Sequence, residues 1–165
     1  MTQLLPSELL DDAKNVIDVC RAAGLKVATV ESCTGGLLAG ALTSIAGSSE
    51  VVERGFVTYS NEAKSELVGV PSALIDAHGA VSEEVARAMA EGGVARSRAD
   101  LAVSITGVAG PGGGTPTKPV GLVHIAAARD GRETLHVGRV FSGNRDGVRL
   151  ASMSVALELL LSLAG

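Results

Sequence analysis

The sequence predicts an α/β domain, a three-layer α/β/α sandwich built on a mixed sheet of about five strands. Three observations carry that expectation. Short apolar runs rich in Val, Ile and Thr alternate with stretches of helical periodicity from the N-terminus to Ile105. Two later apolar runs flank Asp130-Gly131, a tight-hairpin signal that brings antiparallel pairing into the sheet. No internal repeat or linker-like stretch divides the 165 residues, so positions 1–165 read as one domain with room for a real core.

Leu9, Leu10, Ala13, Val16, Ile17 and Cys20 mark an amphipathic first helix, opened by Pro6-Ser7 and closed near Gly24. Lys26 to Val30 is a buried-strand candidate. It breaks into Glu31-Ser32-Cys33-Thr34-Gly35-Gly36, after which Leu37, Leu38, Ala41, Leu42 and Ile45 recur at helical spacing. Val51 to Tyr59 is a second strand, with Gly55 a bulge or a point of close approach. Asn61 is the expected cap of a helix containing Lys64, and Pro71 to Gly79 form a short helical or irregular link. Ser82 caps a helix that carries Glu83 and Glu84 in its first turn and runs to about Arg96. Leu101 to Ile105 is a third strand. Leu122 to Ala128 and Glu133 to Phe141 supply the hairpin, and Asn144 caps an apolar last helix.

Composition narrows the function. The chain is 46% hydrophobic but only 2% aromatic, so its core is packed from aliphatic residues and it lacks stacking platforms for single-stranded nucleic acid. A net charge of −4 argues against a phosphate-backbone footprint, so no nucleic-acid partner is expected. The N-terminus has no signal-peptide pattern, and no apolar stretch is expected to reach the ~20 residues that span a bilayer. Two cysteines, Cys20 and Cys33, form no disulfide framework, which points to a reducing cytoplasm. His78, His124 and His136 lack metal-ligand spacing, and no metal site is indicated. The apolar content and last helix suggest self-association as a homodimer or other homo-oligomer.

The candidate chemistry starts at the turn after the first strand. A strand–turn–helix unit exposes small nucleophiles while the next helix directs its free N–H groups at the same spot. Ser32 and Cys33 are both candidate nucleophiles there. Thr34 is a candidate helix cap, and Gly35 and Gly36 allow close packing. Tyr59 and Lys64 follow at the next strand end. In a doubly wound sheet, neighbouring parallel strands end at one crevice. A lysine desolvated enough to be neutral can activate a serine directly or through a tyrosine hydroxyl.

The run from Gly107 to Pro119 holds five glycines and three prolines, which excludes regular structure. Its composition suits backbone N–H groups that wrap an anion or oxyanion. Neither a Walker loop nor a dinucleotide fingerprint fits it. Arg145 and Arg149, at the start of the last helix, invite an anionic partner, or else pair with Asp146 or another carboxylate. His78 is a candidate base for Cys33 in a thiol hydrolase.

Taken together, these motifs resemble the C-terminal domain family of the CinA (competence/damage-inducible) proteins, including its stand-alone amidohydrolase form. The resemblance runs through Glu31 to Gly36, Tyr59 with Asn61 to Lys64, and Gly79 to Ser82. It continues through Ser104 to Pro111, Gly113 to Thr115, Lys118 to Gly121, and Phe141 to Gly143 with Arg145 and Arg149. It covers nearly the whole chain from about Leu9. Val108 and Asn144 depart mildly from the pattern, and activities of the larger N-terminal domain of full-length CinA are not carried over.

The resemblance implies a five-stranded mixed sheet with one strand antiparallel to the rest. It also implies hydrolysis of the carboxamide of nicotinamide mononucleotide to nicotinate mononucleotide and ammonia, in pyridine-nucleotide salvage, without a cofactor. By motif the nucleophile is Ser32, supported by Lys64 and Tyr59. Backbone groups around Cys33, Thr34, Gly35 and Gly36 are expected to hold the oxyanion. Thr106, Gly107, Ala109, Gly110, Gly113, Thr115 and Arg145 are expected to help there or to bind the sugar-phosphate. The alternatives are a thiol amidase using Cys33 and a non-catalytic nucleotide-binding regulatory module.

Overall fold

A computed structural model describes residues 2–165. Its frame is a five-stranded sheet, ordered β2-β1-β3-β4-β5, made of β1 (Val27–Glu31), β2 (Val52–Val57), β3 (Leu101–Gly107), β4 (Leu122–Arg129) and β5 (Leu135–Val140). β1 pairs in parallel with both β2 and β3, while β4 runs antiparallel to its neighbours β3 and β5. One strand therefore opposes the other four. The cause is connectivity, since helical crossovers return the early strands in parallel and a loop and a hairpin turn the last two around.

Helices cover both faces. α1 (Ser7–Ala23), α2 (Leu37–Thr43) and α6 (Arg145–Ala164) pack on one side, and α3 (Asn61–Val68), α4 (Ser72–His78) and α5 (Glu83–Ala95) on the other. β1 is buried along its whole length, as expected of a strand covered on both faces. Leu9, Val16, Ile17, Leu38, Leu42, Ile105, Ile125, Met153, Leu157 and Leu160 form the larger core. Across the sheet, the buried residues between α5 and β4 are all alanine, Ala86, Ala90, Ala126 and Ala128, with Val94 packed against them. Small side chains there bring helix and sheet close without aromatic filling.

Several local expectations shift. The cap of α3 is Ser60, whose side chain accepts from Ala63 N–H, so Asn61 is already the first helical residue. The bulge in β2 falls at Glu53, where the pairing with β1 skips a residue. Gly55 is instead the close approach, because a Cβ there would lie 2.8 Å from Thr29 Oγ1 and 3.4 Å from Ala39 Cβ. Asp130-Gly131 begins a connection that runs to Thr134, longer than the tight turn expected. α6 also corrects the expectation about apolar stretches. It is long and apolar enough to cross a membrane, yet more than half of its apolar window is buried against α1, β3 and β4. Arg145, Asp146 and Arg149 lie in its N-terminal turns, and Glu158, its one later charge, is exposed.

Candidate active site

The carboxyl ends of β1, β2 and β3 meet at one rim. Ser32 N–H bonds to Ile105 O of β3 at 2.9 Å, and Thr58 N–H bonds to Glu31 O at 2.8 Å, so each strand end is tied to its neighbour. This fixes the Ser32 turn between the α3 approach and the glycine-rich loop.

Lys64 is the largest wholly buried side chain near this rim, 1% exposed. Its Nζ lies 3.2 Å from Ser32 Oγ and donates to Thr58 O at 2.9 Å. Among the described residues it forms no ion pair. Burial accordingly pulls its pKa below the ordinary lysine value of 10.5. A buried amine depressed in this way and touching a serine hydroxyl has the geometry of a general base.

Cys33 has the opposite character. Burial pushes its thiol pKa up to about 11, a rise that Arg149 and Arg145 offset only in part. Its sulfur is thus held protonated at neutral pH, where a thiol is a poor nucleophile. His78 is engaged elsewhere, 3.7 Å from Glu84.

The turn itself differs from a helix-capped nucleophile. Thr34 does not cap α2; its hydroxyl donates to Glu31 Oε1 at 2.7 Å. Glu31, wholly buried, takes Leu38 N–H at 2.8 Å and Ala39 N–H at 3.1 Å on its carboxylate. Leu37 N–H bonds to Thr34 O and the next two N–H groups of α2 to Glu31, so none of the three faces the crevice. Arg149 is likewise not free for an anion. It donates from Nε to Cys33 O at 3.1 Å and from Nη2 to Thr34 O at 3.2 Å.

Ser32, Cys33, Tyr59, Gly107, Ala109, Gly110, Gly113 and Arg145 line one cavity of ≈ 280 Å³, together with Val108 and Gly112. Tyr59 is 63% exposed, and its hydroxyl accepts from Arg145 at 3.4 Å across the cleft. Arg145 also donates to Gly110 O at 2.8 Å, which ties α6 to the glycine-rich loop. It has no carboxylate partner among the described residues. A neighbouring cavity of ≈ 450 Å³ shares Ala109 and Arg145 with the first and is also lined by Asn144 and Asp146.

The remaining candidates lie outside that cleft. Thr106 donates to Ala80 O, and Thr115 closes a turn with Lys118. Gly35 and Gly36, both at positive φ, do not line the cavity. Sequence reasoning gave no role to Glu31, which reads as the first residue of the turn and is in fact the last residue of β1. The signal was an acidic side chain directly after an otherwise apolar run and just before a helix.

The fold and rim define a doubly wound α/β protein with a buried lysine against a serine at a glycine-lined cleft that carries an arginine. The chain belongs to the CinA C-terminal domain family, whose model matches residues 10–164. It is 49% identical to the nicotinamide-nucleotide amidohydrolase PncC of Escherichia coli, over 93% of both chains. A CinA-like protein of Mycolicibacterium vanbaalenii is 55% identical over 84% of this chain. The chain spans only about a third of the length of the CinA-like and competence-damage inducible relatives it matches, 33% and 36% in two of them. The crystal structure of a competence/damage inducible protein from Agrobacterium tumefaciens superposes with a TM-score of 0.97 at 48% identity. That superposition covers 99% of this chain and 100% of that one.

Proposed function

We propose that this chain hydrolyses the carboxamide of nicotinamide mononucleotide, giving nicotinate mononucleotide and ammonia through an acyl-enzyme on Ser32. The observation that carries the reading is the contact of 3.2 Å between Lys64 Nζ and Ser32 Oγ at the wall of the glycine-lined cleft. The extent of the match to PncC supports the substrate.

Neutral Lys64 takes the Ser32 proton as Oγ attacks the amide carbon. The carbonyl oxygen becomes an oxyanion held by the backbone N–H of Cys33, which lines the cleft and has no oxygen acceptor for that N–H among the described residues. Collapse of the adduct breaks the C–N bond, and the Lys64 ammonium returns the proton to the leaving nitrogen, releasing ammonia. Water then attacks the nicotinoyl ester with Lys64 again accepting a proton, which frees the carboxylate and restores Ser32. Lys64 reaches Ser32 without an intermediary, so Tyr59 acts from across the cleft beside Arg145. Arg145 and the Gly107–Gly113 backbone hold the phosphate and ribose, with the adjoining cavity giving them room.

The reading includes a homo-oligomer, for which exposed Val57, Val120 and Val140 offer apolar surface. It assigns the chain to the cytoplasm, in keeping with two free cysteines. Incubation with nicotinamide mononucleotide, assayed for ammonia and nicotinate mononucleotide together, tests the reaction. Equimolar release of both is expected. Saturable binding without ammonia would instead make the chain a regulatory nucleotide-binding module.

A further inference from the structure

The turn that carries Ser32 is gripped from two sides by groups of opposite charge. From within, the Glu31 carboxylate holds the Thr34 hydroxyl and the Leu38 and Ala39 N–H groups. From α6, Arg149 holds the carbonyls of Cys33 and Thr34, more than a hundred positions away in the chain, as the 116-residue separation from Cys33 records. A third tie closes the turn, with Gly35 N–H donating to Ser32 O at 3.0 Å.

These ties set the direction of the N–H groups that flank the nucleophile. In a planar trans peptide, the C=O and N–H point in opposite directions. Turning Ser32 C=O inward onto Gly35 therefore turns Cys33 N–H away from the turn. Pinning Cys33 C=O on Arg149 likewise fixes where Thr34 N–H points. A guanidinium on the carbonyl also polarises that peptide and strengthens its N–H as a donor. Arg149 does not line the cleft, whereas Arg145, one helical turn earlier, does. The two arginines are thus divided between backbone and ligand.

We propose that Arg149 and Glu31 are positioning residues, which hold the 32–36 turn so that Ser32 Oγ stays against Lys64 and the Cys33 N–H faces the developing oxyanion. The proposal deepens the serine reading and rests on it. Misplacement of a reacting group by about 1 Å costs on the order of 10²-fold in rate. The loss should fall on kcat, because neither side chain meets the substrate.

The test compares wild type with Arg149→Lys, Arg149→Ala and Glu31→Gln, using nicotinamide mononucleotide as substrate. Turnover is divided by active sites titrated with a fluorophosphonate. For Arg149→Ala, kcat per titrated site should fall about 10²-fold, with KM within about twofold. Arg149→Lys, which can satisfy one carbonyl, should retain more activity. Millimolar guanidinium should partly restore kcat of Arg149→Ala, an effect that a lost fold would not give. Unchanged kcat per titrated site, with only fewer sites or a lower Tm, would overturn the proposal, as would a raised KM at unchanged kcat. An active Ser32→Ala enzyme would instead refute the serine reading itself, so the two failures are distinguishable.

Discussion

Lys64 Nζ and Ser32 Oγ, 32 positions apart in the chain, meet at 3.2 Å because adjacent parallel strands end at the same rim and each hands its chain to a short turn. The lysine is sealed there with only oxygen partners and, among the described residues, no counter-ion. The same burial sets its basicity and its cost to the fold.

Activity should follow the neutral form of Lys64. Its pKa is lowered by desolvation, so kcat/KM should rise with pH through a value below 10.5 and then level off. Lys64→Arg stays charged and should lose roughly 10²- to 10⁴-fold, the usual contribution of a general base. A pH profile of kcat/KM checks this, and a flat profile across that range would remove Lys64 as the base.

The same group makes a stability prediction of fixed sign. A depressed lysine pKa means that, between its folded value and 10.5, the unfolded chain binds the extra proton. Unfolding free energy therefore rises with pH across that window, and the burden is fully present below the folded pKa. Lys64→Met removes the burden, so the variant should melt higher than wild type at neutral pH. The gap should narrow as pH approaches 10.5, measured by thermal unfolding with circular dichroism.

Cys33 should be slow to alkylate. With its thiol pushed up to about 11 and nearly enclosed, iodoacetamide at neutral pH should leave both the thiol and ammonia release intact over the time of an assay. Labelling monitored by intact mass, with turnover measured on the same samples, checks this. Rapid inactivation matching Cys33 labelling would favour the thiol route.

Arg145 should matter for binding. Arg145→Ala removes the cation at the cleft together with its ties to Gly110 and Tyr59. Losing a charge-assisted contact worth about 1.5–3 kcal/mol should raise KM by roughly 10- to 100-fold. kcat should fall less, and steady-state kinetics separate the two.

Much of this was legible in the chain. The β1–turn–α2 unit, the glycine-rich loop and the hairpin announce themselves locally, through strand composition, periodicity and turn residues. Asn144 was readable as a cap, and its side chain does accept from Gly147 N–H. Other features are long-range and leave no local mark. Arg149 looked like a ligand for an anion, but it meets backbone carbonyls on another element. Thr34 looked like a cap because its residue type fits, yet Glu31 had the reach and the charge to take the helix N–H groups instead. At the start of α3 two cap-type residues stand side by side, and backbone geometry selects Ser60.

The most direct test is ammonia release from nicotinamide mononucleotide by wild type and Ser32→Ala side by side, with rapid-quench mass spectrometry of the wild-type reaction. The account predicts turnover by wild type, loss of at least about 10³-fold in Ser32→Ala, and a transient substrate-minus-ammonia adduct on the peptide bearing Ser32. Ser32→Ala turning over at the wild-type rate, or an adduct mapped to Cys33, would contradict it.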